Sequence, residues 1–430
     1  MKNSYFPIIL GLLVFSIPRI AFAQEANQHS AARIVTVARI AAGALTLRNC
    51  YQLALKQSEI IAIDAEKIKE AQARFAQSLG LILPQVSFVR TDSRQEAESS
   101  ADSRHALDQE FVFTQTLFSG FKEFAAMSAS RLQGQQLSWE KQRAEQLLYT
   151  DVADAFYLLL EIREDLGVLR SIHQSLEERV KDLQQRENIG KSRHSEVVNV
   201  QVQVYNIEAD IETGKSQEVI ARQLLEFLIG KPVKDIVDTD IDFQLKTEKE
   251  YLAKAEKRSD VRAARYAWQA QRKLVTVAQS GYFPKVSGEV DYFLHRSTAP
   301  QNNDWTALLT IDVPIFEGTT VYGEVRQAQS VAKQNEWLWL RAKRQAVQDI
   351  QTAYANVQAD LGRNQALAKA LAAAEENYSL QLQDYKYNLV NNLTVLDAIQ
   401  SLETARRSYI HTTYESKRFY RQLLTAAGEE

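Results

Sequence analysis

The side chains with the chemistry to hold a metal or catalyse a reaction are few and badly spaced for either. The six histidines are His29, His105, His173, His194, His295 and His411; no two are spaced as ligands on one helix, and none sits in a His-Glu-x-x-His pattern. The lone Cys50 excludes an internal disulfide framework and any zinc site built on paired cysteines. Gly190-Lys191-Ser192 and Gly214-Lys215-Ser216 end like phosphate loops, but the glycine required five residues earlier is Gln185 in one and Ala209 in the other. Neither follows a plausible buried strand. There is no nucleophile elbow and no dinucleotide fingerprint. The expectation is a protein that is not an enzyme and carries no cofactor and no metal.

The elements that would position any site are written more plainly. The chain has 430 residues, a formal net charge of -3 and a 45% apolar share, enough to bury a sizeable core. That balance argues against a nucleic-acid partner, which calls for a basic excess. Lys2, the apolar run from Phe6 to Phe15 and Ala21-Phe22-Ala23 make 1–23 a secretory signal peptide, the alternative being a buried N-terminal helix. Pro18 and Arg19 rule out a spanning helix there, and nothing later approaches the roughly 18 apolar residues one needs. Residues 24–44 read as an extended leader.

Past the signal only Pro84, Pro232, Pro284, Pro300 and Pro314 remain, so 85–231 and everything after 314 are free of proline. Proline removes a donor and clashes inside a helix, so such stretches permit very long ones. Leu148, Val152, Ala155, Leu159, Ile162, Leu166, Leu169, His173, Leu176, Val180 and Leu183 follow in steps of four and three, a heptad seam. A second runs through Val347, Ile350, Tyr354, Val357, Leu361, Ala368, Leu371, Tyr378, Leu382 and Tyr385. Each helix of about 65 residues would reach roughly 100 Å.

The chain also repeats itself. Leu83-Pro84-Gln85-Val86 returns as Phe283-Pro284-Lys285-Val286, an offset of 200. Thr116-Leu117-Phe118-Ser119-Gly120 returns as Pro314-Ile315-Phe316-Glu317-Gly318, and Leu228-Ile229-Gly230 as Ala426-Ala427-Gly428, both at 198. This divides the mature chain into a first repeat (45–230), a charged connector (231–250) and a second repeat (251–430).

After each repeated proline the period changes from helical to two. Val286, Gly288, Val290, Tyr292 and Leu294 face one way, with Lys285, Ser287, Glu289, Asp291 and His295 opposite. Alternation resumes with Trp305, Ala307, Leu309, Ile311, Val313 and Ile315 against Thr306, Thr310 and Asp312. Phe111, Phe113 and Leu117 repeat this less cleanly, with 85–92 a weak strand and 93–108 a polar loop. Ten-residue segments, apolar on one face and polar on the other, are the signature of a transmembrane β-barrel strand, with Tyr292 and Trp305 as interfacial aromatics. A soluble sandwich with one wet face uses the same alternation. Four strands cannot close a barrel alone, since about eight are needed, so lipid burial requires several copies.

These features together resemble the TolC-like outer-membrane efflux protein family. The likeness rests on the signal peptide, the duplicated Leu-Pro or Phe-Pro before each strand pair, the Thr-Leu-Phe-Ser-Gly and Pro-Ile-Phe-Glu-Gly exits, and Val395-Leu396-Asp397-Ala398 after a turn in the last helical stretch. It implies a mostly α fold with a small β part: a long coiled-coil helical barrel plus four strands per chain in a trimeric twelve-stranded barrel. The homotrimer would be an exit duct through the outer membrane, meeting a periplasmic adaptor and an inner-membrane pump. The family's pattern places Asp397 in a constricting carboxylate ring, Thr394 where a second aspartate would stand, Tyr385 as a gate tyrosine and Glu196 as an acidic partner in the first repeat. Val390 stands where a pairing arginine would be, so the resemblance supplies no ionic latch there. Rings of carboxylates around a pore axis favour cations. The plainer alternatives are solvated helix carboxylates for Asp397 and Glu196, and a heptad core residue for Tyr385. A periplasmic coiled-coil adaptor and a porin without a pump are the rival functions. The adaptor would not need two lipid-facing strand pairs, and the porin would leave the long helices unexplained.

Overall fold

The structure, a computed structural model, describes residues 44–95, 104–239, 244–297 and 303–429. The signal peptide and almost all of the leader lie outside the described residues. Twelve principal elements follow in order: α1 (Leu47–Gln57), α2 (Glu59–Gly80), β1 (Gln85–Gln95), β2 (Arg104–Ser119), α3 (Lys122–Asn188), α4 (His194–Ile229), α5 (Glu248–Leu252), α6 (Ser259–Gln279), β3 (Lys285–His295), β4 (Trp305–Asp312), α7 (Thr320–Lys386) and α8 (Asn392–Ala427). Both α3 and α7 run for 67 residues, and both α4 and α8 for 36. At 1.5 Å per residue the longer pair spans about 100 Å.

Local chemistry sets the boundaries. Thr46 and Ser58 accept the backbone N–H groups of Asn49 and Ile61, starting α1 and α2. Asn391 does the same for Thr394 at the start of α8. Pro84 and Pro284 stand between helix and strand, where their missing donors cost nothing.

Along α3 the seam buries Val152, Ala155, Leu159, Leu166, Leu169, Leu176 and Leu183. In its middle the buried positions move to Ile172 and Arg179, leaving His173 and Val180 half-exposed. An α-helix turns once in 3.6 residues rather than 3.5, so a straight helix drifts away from a strict heptad. On α7, Ile350, Val357 and Tyr385 are buried, while Tyr354, Leu361 and Leu382 are half-exposed and Val347 is exposed. The reason is position in the layer. Toward the sheet the helices lie in the order α2, α3, α6, α7, and toward the far end α4, α3, α8, α7. Helix α7 is an edge in both.

The strands form one antiparallel sheet, β1-β2-β3-β4, with β1 and β4 unpaired at its margins. Two outcomes differ from the sequence reading. Much of the expected loop 93–108 is strand, because β1 continues to Gln95 and β2 begins at Arg104. And β4 stops at Asp312, so Val313 and Ile315 lie beyond it, leading into Pro314 at an edge with no partner.

Candidate functional site

Two regions carry the functional side chains: the sheet at one end, and the turns closing the helical hairpins at the other. In the sheet, cross-strand register puts the alternating apolar residues on one continuous face. Val86, Phe113, Val290 and Ala307 form one row; Phe88, Phe111, Tyr292 and Trp305 form the next. Val286 sits opposite Ile311, and Gly288 opposite Leu309. Of these, Val86, Phe88, Phe111, Phe113, Val290, Tyr292, Trp305, Leu309 and Ile311 are exposed, as are Leu294 and Val313, while Val286 is half-buried. The opposite face carries Thr114, Thr116, Ser287, Glu289, Asp291, Thr306 and Thr310, interrupted by Val112, Phe293 and Leu308.

The aromatic row defines a level. A second group of exposed aromatics, Phe121, Phe124, Tyr282, Phe283 and Phe316, lies where the strands meet the helices. From Phe283 to Tyr292 is roughly nine residues, or about 30 Å of strand; at a tilt of about 40° that rises some 23 Å. A transmembrane barrel shows an apolar band of about 25 Å flanked by two aromatic girdles. Among the described residues no helix is long and apolar enough to cross a membrane, so the sheet is the element suited to lipid.

At the far end Tyr385 is 7% exposed, packed with Leu183, Val395 and Ile399. Its ring lies under two guanidinium groups, Arg179 at 3.6 Å from the ring centre and Arg186 at 4.5 Å. Arg179 is itself 6% exposed. Its Nε donates to Asn392 Oδ1 at 2.9 Å and its Nη1 to Asp182 Oδ2 at 3.0 Å. Asp182 also accepts from Arg186 at 3.4 Å. Burial pushes the Arg179 pKa down, opposed by Tyr385 and Asp182. This clasp ties α3 to both sides of the turn between α7 and α8. Sequence reasoning passed over Arg179, Arg186 and Asn392. A signal was present, because Arg179 and Arg186 are one heptad apart and alternate with Leu176 and Leu183 on one helix face.

The remaining sequence-predicted residues surround this clasp. Thr394 gives its N–H and its hydroxyl to Asn391 Oδ1, at 3.1 and 3.2 Å, and so belongs to the cap of α8. Glu196, in the first turn of α4, accepts from Ser192 Oγ at 2.6 Å. Asp397 is exposed and lines a groove of about 290 Å³ between α4 and α8, with Asn199, Gln203, Gln400 and Glu403. Burial pushes the Glu403 carboxyl up against the opposing pull of Arg407. Three histidines sit beside carboxylates: His173 by Glu208, His194 by Glu187 and His411 by Glu161. Among the described residues no three His, Cys, Asp or Glu side chains converge as metal ligands.

Comparison with known proteins converges on one family. The family model described as outer membrane efflux protein matches residues 50–231 and 253–429. The outer membrane protein TolC of Salmonella enteritidis is 22% identical over 372 residues, 81% of this chain and 73% of that protein. The pyoverdine export outer membrane protein OpmQ of Pseudomonas putida is 24% identical over 391 residues, covering 84% and 81%. Among solved structures, CusC superposes with a TM-score of 0.81 at 17% identity, covering 89% of this chain and 92% of that one. VceC of Vibrio cholerae gives 0.80 at 19% identity, covering 89% and 97%. The match to the family model spans both halves of the chain, from α1 to the end of α8, and the chain therefore belongs to the outer membrane efflux protein family.

Proposed function

We propose that three copies of this chain form an exit duct through the outer membrane, passively conducting cargo delivered by an inner-membrane pump through a periplasmic adaptor. The observation that carries this reading is the sheet: one face apolar across all four strands, both margins unpaired, at the end of helices about 100 Å long. An unpaired strand edge in hydrocarbon costs several kcal/mol per polar group, so such a sheet is stable in lipid only when closed. Three copies supply twelve strands. Val286, Val290, Tyr292, Leu294, Trp305, Leu309, Ile311 and Val313 then face lipid. The export signal at 1–23 and the two repeats, 45–230 and 251–430, joined through 231–250, fit a secreted, duplicated chain.

At the periplasmic end the proposed constriction comprises Tyr385, Thr394, Asp397 and Glu196. Asp397, exposed beside the α4–α8 groove, would form a threefold carboxylate ring favouring cations. Cargo choice belongs to the pump; related proteins are named for cation efflux and for pyoverdine export. The deciding experiment is electron-microscope imaging of protein extracted from outer membranes in detergent. A threefold particle with a hollow stem on the order of 100 Å supports the duct. A soluble periplasmic protein without a ring sinks it in favour of an adaptor.

A further inference from the structure

Every layer of the chain is open at two unlike margins. The sheet ends in β1 on one side and β4 on the other; the helical layers end in α2 and α4 on the first side and α7 on the second. The first repeat supplies one margin and the second repeat the other. Unlike margins join head to tail, and a head-to-tail contact that closes gives a ring.

The chain contains a template for that contact. Helices α3 and α7 are equal in length and start 198 positions apart, as do α4 and α8; α2 and α6 start 200 apart. Where the first repeat meets the second inside the chain, Phe118 pairs with Val286 across β2 and β3. Gly120, at φ +64°, lies so close to the second repeat that a Cβ would stand 2.8 Å from Phe283 Cβ and 2.9 Å from the Ser280 carbonyl oxygen. Its counterpart Gly318 has nearly the same backbone, φ +62°, with nothing within 4 Å. Only glycine reaches this conformation without strain. Gly318 thus has the form required by a close neighbour that a single chain does not supply. Beside it Ile315 and Phe316 are 94% and 87% exposed.

We infer that the seam between neighbouring copies repeats, position by position, the seam between the two halves of one chain. It rests on the reading that copies close a ring. Phe316 then faces Val86 of the next copy, Gly318 receives that copy's Gly80 and Leu83, and β4 continues past Asp312 once its edge is paired. Along the helices Thr150 and Thr425, whose hydroxyls are 2.8 Å apart, translate into Gln348 of one copy and Phe227 of the next.

The two seams differ in chemistry. Within the chain, α3 meets α8 through ion pairs, Asp165 with Arg407 and Glu161 with Arg418. The same positions between chains are Arg363 with Ala209 and Ala359 with Ile220, so the charge complementarity is gone. In its place α4 offers Ile220, Leu224 and Phe227, the last 80% exposed. Halves joined by a connector stay at high effective concentration, whereas separate chains need burial of apolar area to associate.

Paired cysteines test this. Partners across an antiparallel ladder have Cα atoms about 4.5–5.5 Å apart, within disulfide range. Phe316→Cys with Val86→Cys, and independently Gln348→Cys with Phe227→Cys, go into the full chain; Cys50 is fully buried and does not compete. After oxidation in the membrane, each pair should abolish the monomer band on a denaturing gel and give covalent dimers and trimers that collapse with reductant. Phe118→Cys with Val286→Cys, the template pair, should close within one chain and give no ladder. Single-cysteine variants that form covalent dimers would mean like surfaces meet and overturn the inference. So would intact threefold conducting particles in which neither pair crosslinks, and there the duct itself stands. A chain monomeric in detergent, without conductance, removes both.

Discussion

Truncating Arg179 to alanine tests whether the clasp at the hairpin turns holds the far end of the helices together. Three contacts disappear. Stacking on the buried face of Tyr385, with the guanidinium 3.6 Å from the ring centre, is worth about 1–2 kcal/mol at a desolvated site. The charge-assisted hydrogen bond to Asn392 adds about 1.5–3 kcal/mol. Asp182 is 43% exposed, so its ion pair is screened and adds at most about 1 kcal/mol. Against these stands the cost of keeping a cation in a nearly dry place, where Arg179 Nη2 is buried without a partner. The net expectation is a loss of about 2–3 kcal/mol per copy, which shifts any equilibrium between clasped and released turns by roughly 30- to 140-fold.

The assay is single-channel conductance of purified protein in planar bilayers, with thermal unfolding measured in parallel. Arg179→Ala should raise the conductance or the time spent open while the melting temperature falls little, because the helices above are held by separate clusters. Tyr385→Phe keeps the ring and should do much less. Arg179→Lys keeps the charge without the planar fork and should fall between. Raised salt weakens only the Asp182 leg, so wild-type protein should remain closed at high ionic strength. Unchanged conductance in Arg179→Ala, with intact trimers, would refute the assignment of this clasp to the closed end. A lower melting temperature with unchanged conductance would make it a fold contact only.

Other expectations follow from the same geometry. Leu309→Arg or Ile311→Arg puts a charge on the lipid-facing side and should cost about 2–4 kcal/mol near the midplane, seen as loss of assembled protein from outer membranes. Thr310→Arg, on the opposite face, should assemble. Gly120→Ala meets both a positive φ and a Cβ contact at 2.8 Å, and should lower stability by on the order of 2–4 kcal/mol in chemical unfolding. Burial pushes the Cys50 thiol up to about 11, so a thiol reagent at pH 8 should label it only after unfolding. Burial works to raise the Asp260 carboxyl, but the 2.6 Å contact from Arg258 prevails and holds it below the usual range. A carboxylate depressed in the folded state contributes its stability in full above about pH 4 and loses it as pH falls through the folded value. Asp260→Asn should therefore flatten the acid side of the melting-temperature profile.

What was legible in the sequence is what repeats over a short distance. Val152, Leu159 and Leu166 announce a helix seam within two or three turns, and Val290, Tyr292 and Leu294 announce a strand face within five residues. The clasp was not legible in the same way, because Arg179 and Tyr385 are separated by two hundred positions and joined only through packing. The strand lengths show why a local pattern also stops short. Below the aromatic row, alternation is enforced because one face meets lipid and the other does not. Above it, Arg90, Asp92 and Arg94 continue the face that carries Val86 and Phe88, and they pair with Gln109, Leu107 and His105. With no lipid to exclude them, charged residues occupy both faces, and a strand still held by its ladder of hydrogen bonds reads as a polar loop. The point where the sequence ceases to look like a strand is thus itself informative. It falls at the row of Phe88, Phe111, Tyr292 and Trp305, the level at which the apolar band ends and the strands rise into water.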